Sequence, residues 1–248
     1  RQMCIRDRNI YYHLVDDFRF LKRAPIILDI YHKLALNLSN RILTPSHTIA
    51  KKIRSKKLHL LPHGYISYDF VKFNFDKNKI LSGSSVNVIY YGQLNKLNYE
   101  LVDNVISNLP SFNFIFIGNV KDVNFIKYPN LKLINYLDHK KLMYVLSFSQ
   151  LLWCPFKINK LTSFMTPIKF VEALSFGLPI LSTNINFRDS SIKNFIEFKN
   201  ESEEHIEYIT NFHNNESASK RNKRMNLVKD RSWDVTINQF QKILESDK

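Results

Sequence analysis

The 248-residue chain has 36 Lys and Arg against 22 Asp and Glu, a formal net charge of +14, and 44% of its residues are hydrophobic. This composition is typical of a globular protein with one large or two small domains, and the two cysteines, Cys4 and Cys154, exclude a disulfide framework or a cysteine-rich metal site. No apolar run reaches about 18 residues and no secretory signal is visible, so we expect a cytoplasmic protein without a membrane span.

The first eight residues, RQMCIRDR, resemble a tail that recurs at the ends of proteins translated from metagenomic assemblies. We therefore predict a non-native tail at residues 1–8, which makes Cys4 non-native as well. We also expect the natural protein to extend upstream of residue 9.

The positive charge is concentrated near the beginning of the chain. Residues 1–80 hold 16 Lys and Arg against 6 Asp and Glu, a net +10, whereas residues 81–248 hold 20 against 16, a net +4. The densest clusters are Arg19, Lys22 and Arg23, and then Lys51, Lys52, Arg54, Lys56 and Lys57. Such clusters bind nucleic acid or anionic lipid, or are simply solvated. Because no nucleic-acid motif is present, we expect no nucleic-acid partner, and either an anionic membrane surface or a solvated face.

Residues 9–64 alternate between short strands and helices. The predicted elements are a strand at 9–15, a helix at 25–38, a strand at 41–44, a capped helix at 46–54 and a strand at 58–61. This pattern indicates the end of an α/β domain, so we take residues 9–64 as the remnant of an amino-terminal domain.

Asp16 and Asp17 lie at the carboxyl end of the first predicted strand, where a catalytic carboxylate is expected in an open α/β sheet. The alternative is that at least one of them caps a helix or forms a turn. Adjacent residues of a strand point to opposite faces, so the pair predicts no metal site. His13 and His63 are possible bases, but a lone histidine beside a strand is usually structural.

Residues 65–85 combine aromatics, charges and a Ser-Gly-Ser-Ser cluster, which predicts a linker before regular alternation restarts at Val86. The predicted strands are 86–91, 112–117, 131–134, 150–156, 180–183 and 194–198, with helices that include 99–108 and 139–148. This alternation predicts a doubly wound parallel sheet for residues 86–230, followed by a helix within 231–248. Gly92 and Gly118 directly follow two of the strands, where a backbone turns sharply or approaches a ligand.

The most informative segment is residues 154–183, which predicts the end of a strand, a polar loop, a helix and another strand. Thr166 suits the N-cap of this helix and Pro167 its first position, whereas Gly177 marks its end. At about 100° per residue, Lys169 and Glu172 fall about 60° apart on one stripe of the helix.

Two interpretations of Lys169 and Glu172 follow from this spacing. One is an i,i+3 ion pair on a solvated helix face. The other is a ligand site, because a helix N-terminus close to a strand's carboxyl end binds phosphorylated ligands, and a lysine there adds positive charge. A glutamate one turn further along can accept hydrogen bonds from both hydroxyls of a ribose. We favour the second interpretation, which predicts a nucleotide.

The same segment carries a resemblance to a known family. Its residues Pro155, Phe156, Lys157, Asn159, Leu161, Thr162, Pro167, Lys169, Glu172, Gly177 and Pro179 resemble the nucleotide-sugar motif of two-Rossmann-domain (GT-B) glycosyltransferases of the family 4 type, including teichuronic-acid-type enzymes. The motif spans about 25 residues, and the strand and helix pattern extends the resemblance over most of the chain. One departure stands out, since Phe164 occupies the position of the first of two glutamates found eight residues apart in the broader family.

The resemblance implies an α/β fold of two Rossmann-like domains with the amino-terminal, acceptor-binding one truncated at residues 9–64, and a final helix that crosses back to it. It implies that Glu172 holds the ribose of the donor, with Lys169 and Thr162 near its diphosphate. The other residues expected around the donor are Gly92, Gly118, Lys157, Asn159 and Pro167.

We therefore expect a hexosyltransferase-like glycosyltransferase that moves a sugar from a nucleotide-sugar donor to a glycan or lipid-linked acceptor. No cofactor or metal is implied. The location expected for such an enzyme is the cytoplasm, peripherally on the inner face of the membrane. The alternative, suggested by Phe164, is a non-catalytic nucleotide-sugar-binding partner in a glycan-assembly complex.

Overall fold

The computed structural model describes residues 9–17, 25–83, 85–122 and 128–245, which form two separate parallel sheets. The predicted tail at residues 1–8 and the basic cluster of Arg19, Lys22 and Arg23 lie outside the described residues. Within the described residues, no helix has the length and apolar character needed to cross a membrane.

The first sheet has three strands in the order β1-β2-β3. Its elements are β1 (Tyr11–His13), α1 (Ile27–Leu38), β2 (Arg41–Thr44), α2 (His47–Lys52) and β3 (Leu58–Leu60). Ser46 caps α2 as predicted, because its hydroxyl accepts a hydrogen bond from the Ile49 amide at 3.3 Å. The strands and helices predicted for residues 9–64 are all confirmed, with ends that shift by a few residues.

The second sheet has six strands. They are β4 (Asn87–Tyr91), β5 (Asn113–Ile117), β6 (Leu131–Ile134), β7 (Leu151–Cys154), β8 (Ile180–Ser182) and β9 (Glu197–Phe198). The helices of this part are α3 (Tyr99–Asn108), α4 (His139–Ser147), α5 (Ile168–Ser175), α6 (Ser190–Lys193), α7 (Ser202–Asn211), α8 (Ala218–Val228) and α9 (Trp233–Glu245).

The strand order β6-β5-β4-β7-β8-β9, all parallel, confirms the doubly wound sheet. The chain runs outward from β4 to β6 and then returns to place β7 on the other side of β4. Ligands of such sheets bind outside the carboxyl ends of the strands at this reversal point. The topology therefore predicts a ligand site at the carboxyl ends of β4 and β7.

The central strands are apolar on both faces because helices cover both sides of the sheet. Every residue of β4, β5 and β7 is buried, and Phe114, Phe116 and Trp153 are fully inaccessible to solvent. This double burial explains why these strands appear in the sequence as continuous hydrophobic runs rather than as alternating patterns.

Two glycines bring the ends of β4 and β5 unusually close together. Gly92 has a φ of +118°, which favours glycine, and its amide donates a hydrogen bond to the Ile117 carbonyl at 2.8 Å. A Cβ on Gly118 would lie 2.1 Å from the carbonyl oxygen of Gly92, a distance that no side chain tolerates. The close approach of these two backbones requires glycine at position 118.

The helix α9 contacts residues of the first sheet and of the segment that follows it. The Tyr65 amide donates to the Arg231 carbonyl at 2.9 Å, and the Trp233 amide donates to the Tyr65 carbonyl at 3.0 Å. The rings of Tyr11 and Phe240 meet edge to face with their centroids 6.2 Å apart. The domain boundaries drawn from the sequence stay a prediction, but the final helix does run back to the first part of the chain.

The segment 65–85, predicted to be a linker, is packed rather than extended into solvent. Phe70 and Phe73 each meet the ring of Tyr144 in α4 at a centroid distance of 5.2 Å, and Phe75 meets it at 6.3 Å. Aromatic edge contacts of this kind hold the segment against α4.

Candidate functional site

A cavity of about 210 Å³ lies at the carboxyl ends of β4 and β7, between the two sheets. We call it the cleft. Asp16 follows β1, His63 follows β3, and Lys169 is near the start of α5, so the cleft draws on both parts of the chain. A larger groove of about 530 Å³ lies beside Gln150 and Pro179, which precede β7 and β8, and none of the predicted site residues lines it. We locate the candidate site in the cleft because of its position at the reversal point.

The helix α5 begins one residue later than predicted. Pro167 is its N-cap, with a ψ of 117°, and Thr166 precedes it, because an extended Pro167 cannot belong to the first turn. Lys169 is therefore the second helical residue. The predicted end is confirmed, since Gly177 has a φ of +72° and its amide donates to the Leu174 carbonyl at 2.9 Å.

The ammonium group of Lys169 sits among three aromatic rings in the wall of the cleft. Its Nζ lies 4.1 Å from the ring centre of Tyr90, 5.4 Å from that of Tyr91 and 5.2 Å from that of Phe156. The pKa of Lys169 is lowered to about 8, chiefly by burial; the nearby charge of Lys96 acts in the same direction, while Cys154 and Glu172 oppose the shift. An ammonium held in this way is stabilised by any anion that enters the cleft.

Glu172 is 4% exposed and has both carboxylate oxygens engaged. The Tyr91 hydroxyl donates to Oε2 at 2.6 Å, and Nε2 of His139 pairs with Oε1 at 2.9 Å. The solvated ion pair with Lys169 is therefore wrong as an interpretation, because Glu172 is buried and its carboxylate oxygens are hydrogen-bonded to Tyr91 and His139. The prediction that both residues face one region holds only in part: Lys169 lines the cleft, whereas Glu172 lies one turn further in.

The polar groups of the loop between β7 and α5 are used within the loop. The Thr162 hydroxyl donates to the Lys157 carbonyl at 2.6 Å and accepts from the Asn159 amide at 3.0 Å. The Asn159 side chain accepts in turn from the Thr162 amide at 3.0 Å. Thr162 is fully buried, and its hydroxyl is engaged within the loop. The role predicted for this hydroxyl at the diphosphate is not tested by these contacts and is left to the affinity of a Thr162→Val variant.

The side chain of Lys157 is exposed and lies over the ring of Tyr99, with Nζ 4.3 Å from the ring centre. Its backbone amide donates to the Lys96 carbonyl at 2.8 Å, which fastens the loop to the segment after β4. The loop and that segment thus form one side of the cleft together.

The two adjacent aspartates lie beyond the end of β1, outside the strand on which the sequence prediction placed them, and they line different cavities. Asp16 lines the cleft, and burial raises its pKa while Lys96 partly opposes this. Asp17 is buried beside a separate small cavity that Tyr12 and His32 also line. Of the two, only Asp16 lies where a ligand in the cleft would meet it.

His63 lines the cleft beside the start of α5. Burial and then the neighbouring His13 lower its pKa to about 4, although a hydrogen bond to the Thr166 backbone works in the opposite direction. At neutral pH the imidazole is therefore uncharged, with a proton-accepting nitrogen available for a role inside the cleft.

Sequence reasoning missed several residues of the site, among them Gln93, Lys96 and His139. A signal for the first two was present, because both follow the glycine that ends β4, and loops after such strands line ligand sites. His139 gave no comparable signal, since its link to Glu172 exists only once α4 and α5 are packed together.

No protein-family model matches the chain, and no curated protein matches its sequence. Similar solved structures do exist. A glycosyltransferase from Rickettsia africae ESF-5 is 12% identical, with a TM-score of 0.64 over 91% of this chain and 68% of its own. Sucrose-phosphate synthase from Thermosynechococcus elongatus is 11% identical, with a TM-score of 0.68 over 95% of this chain and 66% of its own.

A third similar structure is the pneumococcal O-GlcNAc transferase GtfA, whose crystal structure contains UDP and GlcNAc. It is 12% identical, with a TM-score of 0.57 over 87% of this chain and 47% of its own. The chain thus spans between about half and two thirds of these proteins. At such low identity the likeness shows the fold alone: an α/β architecture of two Rossmann-like units, the GT-B fold.

Proposed function

We propose that the protein is a glycosyltransferase that moves a sugar from a nucleotide-sugar donor to a glycan or lipid-linked acceptor. The observation that carries the proposal is the placement of Lys169 at the start of α5, in the cleft at the reversal point of the sheet. A buried ammonium beside a helix N-terminus attracts a diphosphate through both its own charge and the helix dipole. The resemblance of the motif supports a family 4 enzyme of the teichuronic-acid type.

In this proposal the donor diphosphate binds between Lys169 and Lys96. Both line the cleft, and the bare backbone of Gly92 lies beside Lys169, since a Cβ there would be 3.1 Å from Nζ. Gly118 likewise allows the end of β5 to lie directly against the backbone of Gly92. These small residues leave room for a phosphate to approach the lysines.

The donor ribose is assigned to Glu172. A carboxylate offers about four acceptor positions, and Tyr91 and His139 occupy two of them. The remaining positions suit ribose hydroxyls, which are donors. The GtfA structure, which contains UDP, supports a nucleoside diphosphate as the ligand of this fold.

Asp16 is the carboxylate that we propose for the chemistry of sugar transfer. Its position in the cleft and its raised pKa are both expected of a group that handles a proton or a developing positive charge. Asp17 faces another cavity, and we assign it to the scaffold of the first sheet.

The test of the ribose assignment is Glu172→Gln, measured by calorimetric titration with UDP, ADP and GDP. In glutamine an NH₂ group replaces one carboxylate oxygen, so a hydrogen-bond donor faces the donating hydroxyls of the ribose. We therefore expect the binding free energy of the nucleotide to weaken by about 1–3 kcal/mol. Glu207→Gln, an exposed position of α7, serves as the matched control. Unchanged affinity in Glu172→Gln refutes the ribose role.

A non-catalytic nucleotide-sugar-binding partner is the second candidate, favoured by Phe164 in place of the family's first glutamate. The two candidates differ in one measurement. An enzyme hydrolyses a bound nucleotide sugar slowly or transfers its sugar, whereas a binding partner shows affinity without turnover. A donor-hydrolysis assay that follows the titration therefore separates them.

We also propose that the protein works in the cytoplasm and touches an anionic membrane surface. In the described residues, Lys51, Lys52, Arg54, Lys56 and Lys57 are all exposed around α2 and the turn before β3. Each contributes about 1 kcal/mol of attraction to anionic lipid, which salt screens. Sedimentation with vesicles should show a preference for anionic over neutral lipid, and an equal distribution would leave a merely solvated face.

A further inference from the structure

A chain of hydrogen bonds links Glu172 to the segment 65–85. The Tyr68 hydroxyl lies 2.9 Å from Nδ1 of His139, Nε2 of His139 lies 2.9 Å from Oε1 of Glu172, and the Tyr91 hydroxyl lies 2.6 Å from Oε2. The four residues come from four different places: the segment 65–85, the first turn of α4, the second turn of α5 and the end of β4.

The chemistry of the groups fixes the direction of each hydrogen bond. The Glu172 carboxylate only accepts, so Nε2 of His139 must carry a hydrogen and donate to it. In the neutral imidazole, Nδ1 is then an acceptor, and the Tyr68 hydroxyl donates to it. Tyr68 therefore holds His139 in the tautomer that serves Glu172, as second partners of histidine commonly do.

The two donors to Glu172 differ in their surroundings. Tyr91 is 6% exposed, and burial, followed by the charge of Glu172, raises its pKa well above the usual value. The side chain of His139 is 39% exposed, so this histidine lies at the outer edge of the site. Tyr91 thus contacts the carboxylate from the buried side, and His139 contacts it from the exposed side.

We propose that His139 is a positioning residue for nucleotide binding, which orients Glu172 toward the 2′-hydroxyl of the ribose, and that Tyr68 keeps His139 in the required orientation. The inference rests on the proposed function, because it needs Glu172 to bind a ribose. It adds a specific consequence: discrimination between ribonucleotides and deoxyribonucleotides depends on a histidine of another helix and a tyrosine of the segment between the sheets.

The test compares His139→Gln with His139→Asn. The glutamine side chain places an amide N–H where Nε2 of histidine lies and so still donates to Glu172, whereas the shorter asparagine reaches only the Nδ1 position, toward Tyr68. The probes are UDP, ADP and GDP with their 2′-deoxy counterparts, titrated calorimetrically, and the readout is the ratio of ribo to deoxy affinity for the tightest pair.

We expect the wild-type protein and His139→Gln to prefer the ribonucleotide by about tenfold and His139→Asn to lose most of this preference. Tyr68→Phe, which keeps the ring but removes the hydroxyl, should reduce the preference by about threefold. A purely structural role for His139 would weaken ribo and deoxy ligands equally and would not be rescued by glutamine.

The outcomes distinguish failure of the proposed function from failure of the positioning role of His139. If the wild-type protein binds none of the six nucleotides, the proposed function fails and the inference fails with it. If the wild-type protein binds with a ribo preference that His139→Asn and Tyr68→Phe both retain, the inference alone is overturned. If His139→Asn does not fold, as judged by circular dichroism, the ribonucleotide preference of Tyr68→Phe decides. A reduced preference supports the inference, and an unchanged preference overturns it.

Discussion

The loop between β7 and α5 and the helix α5 itself carry parts of the same sequence motif, yet the structure uses their polar groups in opposite ways. In the loop, Thr162 and Asn159 hydrogen-bond one another and the Lys157 backbone. In the helix, Lys169 meets the rings of other elements, and Glu172 meets Tyr91 and His139. Local partners satisfy the first half of the motif, and distant partners satisfy the second.

This difference has an energetic consequence. A polar group that is satisfied within its own loop stabilises that loop and has little capacity left for a ligand. Lys169, by contrast, keeps its ammonium in a place where burial lowers its pKa to about 8, so the free protein carries a penalty that an anion relieves. Substitutions in the loop should therefore affect stability, and substitutions in the helix should affect affinity.

One of the two large effects expected from this comparison, of about 2 kcal/mol each, is on the stability of the loop. Thr162→Val removes a buried hydroxyl and leaves the Lys157 carbonyl and the Asn159 amide without their partner. We expect the free energy of unfolding in urea to fall by about 2 kcal/mol, with nucleotide affinity unchanged in the folded fraction.

The control for this change is Lys157→Ala, which keeps the backbone carbonyl and removes only an exposed side chain, so stability should change by less than about 0.5 kcal/mol. If Thr162→Val instead lost nucleotide affinity while its stability stayed the same, the hydroxyl would contact the ligand. The contrast between loop and helix would then be wrong.

The opposite behaviour is expected of Lys169→Met. Methionine fits among the rings of Tyr90, Tyr91 and Phe156 but cannot hold a phosphate, so affinity for UDP should fall by about 2 kcal/mol, or about 30-fold, with uridine affinity unchanged. The buried charge disappears, so stability should rise by about 1 kcal/mol after allowance for solvent screening. Equal losses for UDP and uridine would assign Lys169 to the scaffold.

The elements of the second sheet were predictable because their signals are local. The bounds of β6 and α3 match the sequence prediction, since a short apolar run and an Asn98 N-cap each mark their own position. Lys169 in the cleft was predictable for a similar reason, as a lysine in the first turn of the helix that follows β7. In these cases the deciding interactions span only a few residues.

The partners of Glu172 could not be predicted, because they depend on how distant elements pack. His139 is 33 residues away in sequence and Tyr91 is 81 residues away. The same limit applies to Asp16 and Asp17, which follow β1: the sequence cannot tell which of them meets the cleft, because residues of the second part of the chain form its other side. Sequence patterns identified the helix that carries the site, and tertiary packing determined what its side chains contact.

The smallest expected effect is the pH dependence of UDP binding. Raising the pH neutralises Lys169 only in part, so it should reproduce only part of the affinity loss expected for Lys169→Met. With a pKa of about 8, the ammonium of the free protein is about 90% protonated at pH 7 and about 10% protonated at pH 9. The terminal phosphate of UDP, whose second pKa is near 6, is already about 90% ionised at pH 7 and becomes only slightly more so by pH 9. Affinity for UDP should therefore fall by up to about tenfold between pH 7 and pH 9, whereas Lys169→Met should show no such fall.

Stability should change with the opposite sign. The folded pKa of Lys169 is lower than the unfolded value of 10.5, so the unfolded chain binds more protons above pH 8 and the contribution of Lys169 to folding becomes more favourable as the pH rises. Above about pH 9 this trend is opposed by Cys154, because burial raises its pKa from 9.0 to about 12 and the unfolded thiol ionises first. Titrations with UDP alongside urea unfolding at pH 7, 8 and 9 test both signs, and an affinity that does not fall between pH 7 and 9 would contradict a buried, phosphate-binding Lys169.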